Sequence, residues 1–144
     1  MKLVSTLILI FALSNQLFSQ RLLKEDVLGS WKVVGSQLLP EMIIDLDAEG
    51  HKKMEQMRDG FIGTTFQFKE NNDFLIKFPE NTTGFMTELE FSNNSKWKIE
   101  KGEKIDIGSE KDNYSLMSLK VINAQGKKYF NLYETPFILE VVRL

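Results

Sequence analysis

The sequence predicts an all-β fold, an antiparallel up-and-down barrel of about eight strands, with one short helix between the first and second strands. Three observations point there. Apolar and polar residues alternate with a period of two through most of the chain after residue 28, and turn residues interrupt that alternation at short intervals. Gly29-Ser30-Trp31 enters the first alternating run, and Arg143 leaves the last one on the same face as Phe137, Leu139 and Val141. In a closed barrel the first and last strands are neighbours, so the Arg143 guanidinium would lie over the Trp31 indole, a cation–π contact of about 0.5–2 kcal/mol.

The first 20 residues differ in kind from the rest. Lys2 is followed by an apolar run from Leu3 to Leu13 that only Ser5 and Thr6 interrupt, and then by the polar stretch Ser14 to Gln16. This is the pattern of a secretory signal peptide, too short for a membrane span, with cleavage expected near Ser19. The expected organisation is a signal peptide over 1–20 and one barrel domain over 21–144, exported to the periplasm or secreted. No integral membrane span is expected in the mature chain.

In the expected mature chain Trp31 and Val33 flank Lys32 on the first strand. Phe66 and Phe68, then Phe74, Ile76 and Phe78, form a hairpin about Asn71-Asn72-Asp73. Phe85, Thr87, Leu89 and Phe91 alternate with Glu88 and Glu90 and read as the next strand. Trp97 and Ile99 follow, then Ile105 and Ile107, Met117, Leu119 and Val121, and, after the turn at Asn123 to Gly126, Phe130 and Leu132. Phe137, Leu139 and Val141 close the set. A two-sheet sandwich is the competing arrangement. The helix is expected over about Asp47 to Asp59, with Asp47 as N-cap and Gly60 as stop, and Gly50, Met54, Met57 and Phe61 on one side. Met54, Met57 and Phe61 are candidates for a lid over the barrel mouth; equally, they suit ordinary core filling.

Composition excludes several chemistries. The chain of 144 residues has no Cys and a single His, so thiolate catalysis, disulfides and a lipidated cysteine are ruled out, and His51 reads as a solvated helix residue. Without residues 1–20, 17 basic side chains stand against 20 acidic ones, a net of −3, which argues against nucleic acid as a partner. Asp45, Asp47 and Glu49 before Gly50 imitate the start of a calcium loop, but its twelfth position is Gln56, which cannot provide the bidentate carboxylate. Glu88 and Glu90 fall on the outer face, not in a cleft where a glycosidase would need them. No catalytic residue, metal or cofactor is therefore expected, and the protein does not read as an enzyme.

On Gly29, Trp31 and Arg143, with the strands between them, the chain resembles the lipocalins, and in particular short bacterial secreted lipocalin-like domains of calycin type. The resemblance implies an eight-stranded barrel holding a small hydrophobic molecule, with those three residues closing it. It departs from the central lipocalins in lacking a Thr-Asp-Tyr motif and a long helix after the last strand. A helical insertion after the first strand is more similar to the fatty-acid-binding proteins, yet their Arg-x-Tyr carboxylate site has no counterpart here. The candidate ligand lining is Phe66, Phe68, Phe74, Ile76, Phe78, Leu89, Phe91, Trp97, Met117, Leu119, Phe130 and Leu132. The competing expectation is a filled barrel that acts as an envelope protein, or as an inhibitor or binder of another protein, through Tyr129, Tyr133 and the loop Pro79 to Gly84.

Overall fold

The computed structural model describes residues 21–82, 84–87 and 93–144. Eight antiparallel strands close in sequence order: β1 Gly29–Leu38, β2 Thr65–Phe68, β3 Asp73–Lys77, β4 Ser95–Glu100, β5 Lys104–Gly108, β6 Met117–Ala124, β7 Lys127–Leu132 and β8 Phe137–Arg143. Among the described residues three helices accompany them: α1 Lys24–Val27 before β1, α2 Ala48–Gly60 between β1 and β2, and α3 Gly84–Thr87 between β3 and β4. A 3-10 turn spans Pro40–Met42. Closure rests on β1, which pairs with β2 through Gly29 opposite Phe68 and with β8 through Trp31 opposite Arg143. The sandwich is thereby excluded, because no sheet edge separates first and last strands.

Up-and-down connectivity sends alternate connections to opposite ends. The base carries α1 and the turns β2–β3, β4–β5 and β6–β7; the mouth carries the segments β1–β2, β3–β4, β5–β6 and β7–β8. Base turns are tight and chemically specified. Gln125 (φ 53°) and Gly126 (φ 75°) form the two-residue β6–β7 turn, both left-handed as a turn matching strand twist requires. In the β2–β3 turn Asn72 takes φ 70°, and the Asn71 side chain accepts from the Asp73 amide at 3.1 Å.

Inward residues meet across the lower half of the lumen as a run of aromatic rings. Phe130 lies edge-on to Trp31, Phe66 and Phe68, with centroids 6.0, 5.7 and 5.9 Å away. Phe68 continues the run to Phe74 at 5.3 Å and Trp97 at 5.5 Å. Edge-to-face pairs of this kind contribute about 0.5–1.5 kcal/mol each beyond their buried area. A second set sits at the mouth, where the Phe61 ring is 5.2 Å from Phe137 and 6.5 Å from Phe78.

Two expectations are corrected. Residues Gly84–Thr87 are a helical turn, so Phe85 and Thr87 do not begin a strand, and the seat beside β3 belongs to Ser95–Glu100. The doublet Phe85-Met86 breaks strict alternation. Strand parity would send Met86 outward, whereas the helical turn buries it against Gly60 at the end of α2. Leu89 and Phe91 lie outside the described residues. Tyr129, expected as an exposed contact, is only 6 % exposed. It does face outward, but Ala124 and Ile138 pack on it, with Leu39 and Ile122 at their edge, in a satellite cluster on the outer wall. Tyr133 is exposed as expected, with the Lys104 ammonium 5.0 Å from its ring centroid.

Candidate functional site

The two ends of the barrel are built differently, and the base is locked. Val27 of α1 is buried, and the last carbonyls of that short helix, which have no helical partner, all find side chains from the barrel. Trp31 Nε1 donates to Val27 O at 2.7 Å, Lys128 Nζ to Asp26 O at 2.8 Å, and Arg143 to Glu25 O at 3.2 Å. Both cations also lie on the indole, the Arg143 guanidinium at 4.5 Å and the Lys128 ammonium at 4.6 Å from its centroid. Burial pushes the Lys128 pKa below its ordinary value; the Asp26 carboxylate opposes that shift and Arg143 adds to it. On the neighbouring turn Lys24 donates to Glu70 O at 2.9 Å. Trp31 and Arg143 thus meet at the base, where β1 pairs with β8.

The mouth is covered more lightly. Helix α2 begins where predicted: the Asp47 side chain caps it by accepting from Gly50 N at 2.7 Å. It runs one residue further than expected, through Gly60, with Phe61 as its C-cap. None of its 13 residues is fully buried. It touches the core through the partly buried Met54 and Met57 and through Phe61, whose ring is 0 % exposed. A helix held this way depends on its cap. Asp47→Ala should cost about 0.5–2 kcal/mol of local stability and speed amide exchange over residues 48–60 while leaving the strands protected.

Of the candidate lining residues, Phe66, Phe68, Phe74, Ile76, Phe78, Trp97, Leu119, Phe130 and Leu132 are all buried in one continuous core, with Met117 partly buried against it. The rings gather in the lower half. Leu139 lies opposite Phe130, and towards the mouth the inward positions of β1, β7 and β8 are Ser36, Leu38, Leu132 and the aromatic Phe137. On β2 the inward parity of Phe66 and Phe68 runs back to Thr64, which lies opposite Val33 through Val33 N to Thr64 O at 2.8 Å.

Ser36 and Thr64 escape a simple reading of the pattern. Continued from Trp31 and Val33, alternation would turn Gly35 inward and Ser36 outward. A bulge between Val33 and Gly35 reverses this. A Cβ on Gly35 would meet the outward Glu140 side chain at 3.3 Å, so Gly35 faces out and Ser36, opposite Leu139, faces in. The one sequence signal for this was the glycine itself, which inside a strand marks a bulge. The Ser36 and Thr64 hydroxyl oxygens are both buried and neither has a hydrogen-bond partner among the described residues.

The acidic run before α2 is used locally, with Asp47 committed to the helix cap. Among the described residues no three His, Cys, Asp or Glu side chains cluster as a metal site would need. Likewise, among the described residues no helix is long and apolar enough to cross a membrane. No protein-family model, no curated protein and no solved structure matches this chain.

Proposed function

We propose that this is an exported, non-catalytic lipocalin-like binding protein that holds one small hydrophobic molecule in the upper half of the barrel, beneath α2. The observation that carries this reading is the asymmetry of the two ends. Three side chains lock the base to the carbonyls of α1, whereas the mouth is covered by a helix with no fully buried residue of its own. Lifting such a helix costs little packing, and it would uncover apolar inward residues of β1, β7 and β8. The aromatic run occupying the lower half limits the ligand to a small one. The signal-like leader and the Gly29, Trp31 and Arg143 closure support the same family reading.

Titration with the neutral fluorophore N-phenyl-1-naphthylamine tests it. One saturable site per chain, with energy transfer from tryptophan, is expected. A second reading is favoured by a specific feature of the mouth. Met42, Ile44, Leu46 and Ile62 are exposed apolar residues around the entry and exit of α2, and Ile44 is 74 % exposed. Such a rim suits a barrel that acts through its surface on another protein. A folded chain that binds no fluorophore, and yields no lipid-like species on organic extraction, would favour that reading over the carrier.

A further inference from the structure

Among the described residues, Ser36 and Thr64 are the inward side chains whose buried hydroxyl oxygens have no hydrogen-bond partner. A buried hydroxyl without a partner is destabilising, because it gives up hydrogen bonds to water and gains none from protein. Thr64 is fully buried, and its hydroxyl oxygen has no hydrogen-bond partner among the described residues. Ser36 occupies the next inward position after Val33, the residue opposite Thr64, and it faces inward only because the β1 bulge turns it there. Bulges that re-aim a side chain are frequent beside binding sites. Both hydroxyls lie near the mouth, where the Phe61 ring meets Phe137.

We infer that Ser36 and Thr64 are the polar anchor of the chamber, hydrogen-bonding a single uncharged oxygen on an otherwise apolar ligand. This rests on the carrier reading and narrows its ligand class to aliphatic molecules ending in an alcohol or a comparable neutral oxygen. An ionised carboxylate does not fit. The charged inward side chains of the described strands are Arg143 and Lys128, both at the base and occupied by Trp31 and the carbonyls of Glu25 and Asp26, so a carboxylate near the mouth would be buried without a counter-ion. Two hydroxyls that each donate and accept can serve an alcohol, which also does both.

The test is displacement of N-phenyl-1-naphthylamine by 1-octanol, n-octane and octanoate, from the wild-type chain and from Thr64→Val and Ser36→Ala. Thr64→Val keeps the side-chain shape and should raise the melting temperature of the unliganded chain, since it deletes an unpaired hydroxyl. It should weaken 1-octanol about tenfold, the worth of one hydrogen bond, while leaving octane unchanged or tighter. Ser36→Ala should act in the same direction, and octanoate should displace the fluorophore least from the wild type. If the octanol-to-octane affinity ratio is the same in wild type and both variants while the fluorophore still binds, the anchor is wrong and the carrier reading survives. If the wild type binds neither fluorophore nor octanol, the carrier reading fails and the anchor with it.

Discussion

Trp31→Ala should destabilise the chain by about 3–5 kcal/mol, enough to lower its melting temperature by roughly 10–20 °C. The side chain is buried, and four separate interactions end on it. Its Nε1 donates to Val27 O at 2.7 Å, its faces take the Arg143 and Lys128 cations, and its edge meets Phe130. Truncation opens a cavity at the base, leaves the Val27 carbonyl without its donor and removes the π-surface that compensates two neighbouring positive charges. Trp31→Phe separates these contributions, because it restores much of the ring but not the N–H, and should recover more than half of the loss. Arg143→Ala should cost less, about 0.5–2 kcal/mol, since that side chain is exposed at the end of β8. Urea denaturation measures all three. Fluorophore affinity of the folded fraction should stay near the wild-type value, because the base lies at the opposite end from the chamber.

Phe61→Ala should cost a similar 3–5 kcal/mol but with a different functional signature. The ring is fully buried between Phe137 and Phe78, and it is the C-cap of α2. It joins the covering helix to the barrel mouth. Removing it leaves α2 held by the partly buried Met54 and Met57, so the helix should exchange its amides faster than the strands do. Dissociation of N-phenyl-1-naphthylamine should speed up several-fold, whereas Trp31→Ala should leave it alone. Equal effects of the two substitutions on dissociation would mean that α2 does not control access. Stopped-flow displacement at matched fractions folded makes the comparison.

Much of the frame is legible in the sequence because the barrel repeats one simple rule. Alternation along β2, β3, β7 and β8 places Phe66, Phe68, Phe74, Phe130 and Leu139 inward, and the meeting of Trp31 with Arg143 follows from closing the first strand on the last. Helix α2 is legible from its ends, since Asp47 is a good cap and Gly60 a poor helix interior. Failures occur where a tertiary contact outweighs local pattern. The alternation of residues 85–91 suggests a strand, but Met86 gains more by turning into the core beside Gly60 than by facing water. Parity assigns Tyr129 to the outer wall correctly and says nothing of the neighbours that cover it there. Helix α1 is four residues long, too short to show any period, and two of the three donors that hold it, Lys128 and Arg143, are more than 100 residues away in sequence. Ser36 is hidden by one inserted residue, which reverses the face of everything after it on β1.

The most direct measurement is an amide chemical-shift map of the uniformly labelled chain, titrated with N-phenyl-1-naphthylamine. A ligand beneath α2 should shift Ser36, Leu38, Thr64, Leu132 and Phe137 together with residues 54–61, and leave the base around Trp31, Lys128 and Arg143 near its starting positions. Shifts confined to the exposed rim at Met42, Ile44, Leu46 and Ile62, or no shifts in a folded chain, would contradict an interior chamber and point to a barrel that works through its surface.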